Sequence, residues 1–310
     1  MRGLERRAEM VTSIQQVYDI IKNAEPKRVA VAQAADAHVL QAVCGAYKEG
    51  YAVPILIGDP ERIRSCAKEN GLDISAFRIV EADDGQEAVK AVELVHAQEA
   101  DVVMKGLMQS ATFLRAILKR ETGIRTPGAV VSAIAVVELR MLRRLAFITD
   151  LAITPEPDLE TKRKIMENAV NVAHKFGMEK PNVAVLCAAE NVNEKMAASR
   201  DAAALQRMCE EGEIEGCCVA GPISFDLAMS EEACEEKGYH HEVGGKADIL
   251  LAPDINAGNI MYKTMMLFAD MDTGGIIAGT NAPVVFTSRA DSPRTKQNTL
   301  AMAVYLAGKE

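Results

Sequence analysis

The sequence lacks a run of apolar residues long enough to cross a membrane, which takes about 20 residues. The longest largely apolar run covers only residues 128–137. An excess of basic residues is also absent, because the net charge is −9, and this argues against a general nucleic-acid binder. Local donors must therefore hold any anionic ligand. Acidic residues occur early in the N-terminal stretch, which is untypical of a signal peptide, so we expect a cytoplasmic protein.

Cysteine and histidine are present, but not in patterns typical of disulfides or metal sites. The seven cysteines are odd in number, contain no Cys-x-x-Cys and lie mostly in apolar segments, so we expect reduced thiols. The five histidines lack metal-ligand spacing; His240 and His241 are adjacent and would point to opposite faces of a strand. The sequence predicts no metal site and does not favour a cysteine nucleophile.

Three motifs with well-understood chemistry are also missing. No Gly-x-Gly-x-x-Gly is followed by an acidic ribose binder, and no Walker motif is present. A Gly-x-Ser-x-Gly elbow is likewise absent. Dinucleotide enzymes, P-loop enzymes and serine hydrolases of the α/β type are therefore disfavoured.

What the chain does contain is an alternation of short apolar runs and amphipathic stretches over 310 residues, enough for two domains. This alternation predicts an α/β fold with parallel sheets covered by helices. A change of register near residues 123–128 predicts a first domain of residues 1–126 plus 276–310 and a second domain of residues 127–275. Within the second domain we expect a weak strand over 213–220, a turn over 221–226, and Asn259 as a helix cap.

The most informative stretch lies near the C-terminus. Residues 283–287 form a short apolar run typical of a buried strand, and Ser292 or Asp291 can cap a helix whose first turn holds Pro293. Ser288 and Arg289 would then lie between a strand end and a helix N-terminus, which favours an anion. A hydroxyl and a guanidinium at this point indicate a phosphate site. The alternative is a turn serine beside a surface arginine.

Other polar residues follow further predicted strands, where ligands bind in open α/β sheets. These candidates for substrate binding are Ser110, Thr112, Arg115, Asp254, Asn256, Asn259 and Lys263, and Lys105, Asp150 and Asp226 likewise lie at the ends of predicted strands. Together they indicate a small-molecule site in a cleft between two domains. The alternative is a set of ordinary caps, turns and solvated side chains.

Several of these stretches together resemble the phosphate acetyl/butyryltransferase family. They are residues 104–112 (MKGLMQSAT), 148–150 (ITD) with 157–159 (PDL), 221–226 (GPISFD), 247–263 (ADILLAPDINAGNIMYK) and 287–292 (TSRADS). The short chain and the Ser-Arg-Ala-Asp-Ser form are more similar to the butyryl members than to the acetyl members. The resemblance implies two three-layer αβα domains like those of isopropylmalate dehydrogenase, with the active site in the interdomain cleft.

The resemblance also implies a reaction, namely reversible transfer of a butanoyl group from acyl-CoA to inorganic phosphate. CoA and phosphate are then substrates, no cofactor is needed, and a homo-oligomer is expected. Phosphate is itself the nucleophile, so no covalent acyl-enzyme is required. Alternatives are an acetyl or branched-chain acyl group, a non-catalytic sensor of acyl-CoA or acyl phosphate, and a metal- and NAD-dependent oxidoreductase of similar fold.

The family's active-site serine and arginine fall on Ser288 and Arg289, and a threonine and a substrate-contacting arginine fall on Thr112 and Arg115. One position departs from the pattern. Acetyl members carry a catalytic aspartate seven residues after the serine, where this chain has Thr295. The base is therefore open among Asp291, which we place with the catalytic residues, and the alternatives Asp226 and Asp254.

Overall fold

The computed structural model describes residues 10–139, 143–288 and 291–309. The chain forms two compact units. The first unit comprises Gln15–Ala133 and the chain from Asp272 onward, and the second comprises Ile134–Met271 with the described residues up to Ile14.

Strands and helices alternate along most of the chain. The strands are β1 (Lys27–Ala32), β2 (Ala52–Gly58), β3 (Arg78–Glu81), β4 (Val102–Lys105), β5 (Ser132–Leu139), β6 (Arg144–Thr149), β7 (Asn182–Leu186), β8 (Cys218–Ile223), β9 (Ile249–Leu251), β10 (Met271–Ala278) and β11 (Val284–Val285). The helices are α1 (Ile14–Lys22), α2 (Ala37–Lys48), α3 (Pro60–Glu69), α4 (Glu87–His96), α5 (Ser110–Ile117), α6 (Leu159–Lys175), α7 (Ala197–Glu210), α8 (Phe225–Met229), α9 (Glu231–Lys237), α10 (Ile255–Phe268) and α11 (Pro293–Ala307). This composition confirms the predicted α/β class.

The strands of the first unit follow the order β3-β2-β1-β4-β11-β10. All neighbours are parallel except β10 and β11. Strand β4 is buried along its whole length; its first three residues are apolar, as expected in a parallel sheet, and its last residue is Lys105. In the register of β4 with β11, Met104 lies beside Val285, so the chain leaves both strands at the same edge of the sheet.

The strands of the second unit follow the order β5-β6-β9-β7-β8, with β5 and β6 antiparallel and the others parallel. Its core includes Ile148, Leu186, Ile223, Leu227 and Leu250, all of them buried. Within the described ranges, no helix combines the length and the apolar character needed to cross a membrane.

Side-chain caps set the starts of several helices. Four of these caps accept a hydrogen bond from the backbone N–H three residues later in the chain. They are the carboxylates of Asp36 (α2), Asp158 (α6) and Asp254 (α10) and the hydroxyl of Ser292 (α11). Each such cap contributes about 1 kcal/mol. The predicted cap at Asn259 is wrong, because Asn259 lies inside α10 and Asp254 satisfies its first turn.

The Gly221-Pro222 pair is part of a strand, not of the predicted turn. Strand β8 begins only at Cys218 and continues through both residues to Ile223, and α8 follows at once. Two features of β8 explain the error. Strand β8 is last in the strand order, where a proline without an N–H is tolerated. A Cβ at Gly221 would lie 2.8 Å from the Ala202 carbonyl oxygen, so the close approach of α7 requires glycine.

The segment after α5 belongs to the first unit up to Ala133, beyond the predicted boundary at 126/127. Thr126 donates its N–H to the Gly279 carbonyl at 3.0 Å, and Asn281 donates its N–H to the Ile124 carbonyl at 2.7 Å. The Thr126 hydroxyl also bonds the Asn281 side chain at 2.8 Å. These bonds join residues distant in sequence, so the compact units divide after Ala133 and after Met271.

Candidate functional site

Ser288 lies in a turn between β11 and α11. Its N–H donates to Asp291 Oδ2 at 2.7 Å, and the Asp291 N–H donates to the Ser288 carbonyl at 3.3 Å. Ser288 is exposed. The carboxylate of Asp291 therefore closes the turn that presents the Ser288 hydroxyl. The predicted partner Arg289 lies outside the described residues.

The helix after this turn starts as the sequence predicts. Ser292 Oγ accepts from Thr295 N at 3.0 Å, and Pro293 occupies the first helical turn. Thr295, at the position of the acetyl members' aspartate, is buried, and its hydroxyl lies 3.0 Å from Ser292 Oγ. The positive end of the α11 dipole thus lies beside the Ser288 turn.

Lys296 in α11 is a further residue in contact with this turn, and the sequence-based prediction missed it. Its side chain is buried, and Nζ donates to the main-chain carbonyl of Asp291. A signal was present in the sequence, because Lys296 is one helical turn before Leu300 and two turns before Ala303, on the apolar face of α11. A lysine on an apolar face is unusual enough to have been a candidate.

The end of β4 brings a second lysine to the same edge of the sheet. Lys105 is buried, and its Nζ donates to the carbonyls of Gly106 at 3.3 Å and Met108 at 3.1 Å. Gly106 follows in a tight approach to β1: a Cβ there would lie 2.2 Å from the Gln33 carbonyl oxygen and 2.5 Å from that of Ala32. Only glycine fits this position without moving the backbone.

Helix α5 follows and packs against the approach to Ser288. Phe113 on α5 stacks on Phe286, two residues before Ser288, with ring centroids 6.2 Å apart. The predicted binding residues of α5 lie off this buried face: Ser110 and Arg115 are exposed and Thr112 is half-buried. The β4–α5 segment and the approach to Ser288 therefore lie together, while the role of Ser110, Thr112 and Arg115 in substrate binding stays a prediction.

The remaining predicted binding residues belong to the second unit, around α10. Asp254 caps α10 by accepting from Ala257 N at 2.9 Å, and Asn259 donates from Nδ2 to the Leu151 carbonyl at 3.0 Å. Both side chains thus hold local structure. Asn256 and Lys263 are exposed. Their predicted role in substrate binding stays a prediction, as does the cleft between the domains.

Two other aspartates of the second unit have structural partners. Asp150 is buried and accepts from the N–H groups of the loop after β6, with Thr154 N at 2.9 Å. Asp226 forms an ion pair with Lys237 at 2.9 Å. Hydrogen bonds from Lys237 and then Ser224 lower the pKa of Asp226 to about 2. A carboxylate with so low a pKa is a weak proton acceptor at neutral pH.

Cysteine thiols and potential metal ligands are both present among the described residues. All seven cysteines are free, and burial raises the pKa of Cys217 and that of Cys218 to about 12. In the parts of the chain that the structure describes, no group of three histidine, cysteine, aspartate or glutamate side chains is arranged as metal ligands would be.

Comparison with known proteins places the chain in a family. A family model described as phosphate acetyl/butaryl transferase matches residues 12–89 and 84–304. The chain is 48% identical over 302 residues to phosphate butyryltransferase of Clostridium acetobutylicum, covering 97% of this chain and 100% of that protein. It is 44% identical to phosphate butyryltransferase of Clostridium beijerinckii, covering 93% and 96%.

A solved structure agrees with these relatives. The crystal structure of a branched-chain phosphotransacylase from Enterococcus faecalis V583 has a TM-score of 0.80 at 35% identity and covers 91% of this chain and 99% of that one. The resemblance predicted from the motifs is thereby confirmed. The chain belongs to the phosphate acetyl/butaryl transferase family.

Proposed function

We propose that this protein is an acyltransferase that moves a butanoyl group reversibly between CoA and inorganic phosphate. The observation that carries the proposal is the turn at Ser288, closed by Asp291 at the positive end of α11, in a chain 48% identical to a phosphate butyryltransferase. This arrangement provides a hydroxyl and a positive field at one point, which suits a phosphate oxyanion.

The reaction needs charge stabilisation more than covalent chemistry. A phosphate oxygen attacks the thioester carbon, a tetrahedral oxyanion forms, and the C–S bond breaks to release the CoA thiolate. No covalent acyl-enzyme is required, because phosphate is the nucleophile. We assign Ser288 the hydrogen bond to the oxyanion or the departing thiolate, and Arg289 the bidentate contact to phosphate. Holding the reactants together supplies much of the remaining rate.

Positive charge at this edge of the sheet favours the same chemistry. Lys105 and Lys296 are both buried there, although the net charge of the chain is −9. A thiol with an ordinary pKa of about 8.5 is mostly protonated at neutral pH, and nearby cations favour its ionised form. Local cations therefore help both phosphate binding and thiolate departure.

We propose that Asp291 acts within the catalytic turn by holding Ser288, since its carboxylate already accepts from the Ser288 N–H. Asp226 is a poor candidate base because of its ion pair with Lys237, and Asp254 is occupied as a helix cap. The substrate contacts are proposed for Ser110, Thr112 and Arg115 in the first unit. Those in the second unit are proposed for Asp254, Asn256, Asn259 and Lys263.

Physical reasoning constrains the acyl group only weakly, since one methylene contributes only about 1–3 kcal/mol of discrimination. The names of the two Clostridium relatives favour butanoyl over acetyl. The Enterococcus structure makes a branched acyl group the second candidate. A non-catalytic sensor is disfavoured because Ser288 and Arg289 are both present in the sequence.

One assay tests the proposal directly. The protein is incubated with butanoyl-CoA and phosphate, and free thiol is followed over time; acetyl-CoA and a branched acyl-CoA are compared under the same conditions. We expect phosphate-dependent thiol release that is fastest with butanoyl-CoA, and a severe loss in Arg289→Ala. If no phosphate-dependent thiol release occurs, the non-catalytic sensor becomes the favoured function. A faster rate with acetyl-CoA would exclude the butanoyl assignment.

We further propose a cytoplasmic homo-oligomer in which a second copy of the chain covers part of α10. Ile260, Leu267 and Phe268 on this helix are 66%, 78% and 84% exposed. Lys263 is the only charged residue in the α10 sequence. Such a face does not require a partner of opposite charge. In a two-fold symmetric dimer it would pack against the same face of the second copy.

A further inference from the structure

The ammonium group of Lys296 has an unusual environment. Its side chain is 6% exposed, and its Nζ donates to the carbonyl of Asp291. Within the described part of the chain, no carboxylate forms an ion pair with it. Burying a cation with only a neutral partner is costly, and a methionine of similar length would avoid that cost.

The position of Lys296 adds to this cost. It lies in the first turn of α11, where the helix dipole is positive, so the dipole and the ammonium repel each other. Two features that disfavour a cation thus coincide. An anion bound nearby would be attracted by both the ammonium group and the dipole, which offsets these costs.

The carbonyl that Lys296 contacts belongs to the residue that closes the Ser288 turn. Asp291 accepts from Ser288 N through its carboxylate, donates its own N–H to the Ser288 carbonyl, and accepts from Lys296 through its carbonyl. All three polar groups of Asp291 are therefore used. Lys296 fixes the Asp291 peptide, and Asp291 fixes Ser288.

We propose that Lys296 is a positioning residue for the phosphate half of the acyl-transfer site. It holds the Ser288 turn through the Asp291 carbonyl, and its charge makes the bound state of phosphate more favourable than the free state. This inference rests on the proposed function, because phosphate is the anion that the reaction supplies. The acyl-CoA half of the site does not depend on it.

The test compares Lys296→Met, which keeps the length of the side chain without its charge, with Lys90→Met. Lys90 lies on α4 of the same unit and pairs with Glu93 on the surface, so it controls for loss of a lysine. In Lys296→Met we expect the KM for phosphate to rise roughly tenfold or more, since a hydrogen bond from a charged group is lost. The KM for butanoyl-CoA should change by less than about twofold, because the substitution affects the phosphate half of the site and does not destabilise the whole site.

A second variant, Lys296→Arg, covers the case in which Lys296→Met does not fold. Arginine keeps the charge but presents a planar group that cannot reproduce a single ammonium contact, so we expect a smaller rise in the phosphate KM. Circular dichroism and thermal unfolding report folding in each variant. An unchanged phosphate KM in a folded Lys296→Met, or in Lys296→Arg where that is the only folded variant, overturns the inference. Equal rises in both KM values show a merely structural role and overturn it too.

Calorimetric titration with inorganic phosphate alone separates this inference from the proposed function. If wild type binds phosphate without turnover and Lys296→Met binds it more weakly, the role of Lys296 in holding phosphate stands, while the proposed acyl transfer falls. If both bind phosphate equally, the inference falls whatever the activity. If wild type neither binds phosphate nor releases thiol, both fall.

Discussion

Replacing Asp291 separates two roles that its carboxylate could have in the Ser288 turn. Asp291→Asn removes the charge and the basicity but keeps a side-chain oxygen that can accept from the Ser288 N–H. Asp291→Ala removes the acceptor as well. A residue that holds the turn and a residue that takes a proton respond differently to this pair of changes.

The magnitude follows from one hydrogen bond, 2.7 Å from Ser288 N to Asp291 Oδ2. Hydrogen bonds to charged groups contribute about 1.5–3 kcal/mol, and those to neutral acceptors about half as much. Because Ser288 is exposed, water replaces part of the loss, and we expect costs of about 0.5–1 kcal/mol for Asn and about 1–2 kcal/mol for Ala. At about 1.4 kcal/mol per tenfold change, turnover should fall about two- to fivefold in Asp291→Asn and about five- to thirtyfold in Asp291→Ala.

The assay is the initial rate of thiol release from butanoyl-CoA at saturating phosphate, with circular dichroism to confirm folding. Glu93→Gln, a neutralised surface carboxylate of the same unit, is the matched control and should retain full activity. Loss of a general base would cost about 10²–10⁴-fold, and the amide would be no better than the methyl group. Equal losses of that size in both variants would refute the positioning role of Asp291 and assign it as the base.

The remaining predictions concern stability, thiol reactivity and assembly. Gly106→Ala should lower the free energy of unfolding by about 1–3 kcal/mol in urea, since its Cβ would lie 2.2 Å from a carbonyl oxygen; an unchanged midpoint would contradict this packing. Cys217 and Cys218, each with a pKa near 12, should not react with a thiol reagent at pH 8 until the protein is unfolded, which mass spectrometry of the labelled chain can show. Because its pKa is lowered from 3.8 to about 2, Asp226 stabilises the fold above pH 3.8 and loses this contribution as pH falls toward 2; the stability gap between wild type and Asp226→Asn should close over that window, and a constant gap would argue against the ion pair. Phe268→Glu should reduce the oligomeric mass in sedimentation without loss of helical signal, and an unchanged mass would remove α10 from the interface.

Local patterns predicted much of the fold because their causes are local. The cap of α6 at Asp158 and the cap of α11 at Ser292 each depend on a few adjacent residues. The buried strands of the first unit are short apolar runs in the sequence. The prediction failed at Gly221-Pro222, where the position of β8 in its sheet and the approach of α7 decide the conformation.

For the candidate site, too, local features were predictable and contacts between distant residues were not. Strand–helix alternation predicts that Ser288 lies between a strand and a helix start, and β11 and α11 flank Ser288 in the structure; that this is the site stays a prediction. The contacts of candidate residues within the second unit were not predictable. Lys237 neutralises Asp226 from another helix, and Asn259 bonds Leu151 from far along the chain.

By itself, the sequence determined the α/β class, the starts of α2, α6 and α11, and the family, because periodicity, caps and motifs depend on neighbouring residues. Tertiary structure alone decided which charges are neutralised and which are buried. The Lys296 ammonium is removed from water only when α11 packs against its sheet. Burial and pairing are properties of the packed chain, and they set the electrostatics on which the proposed chemistry depends.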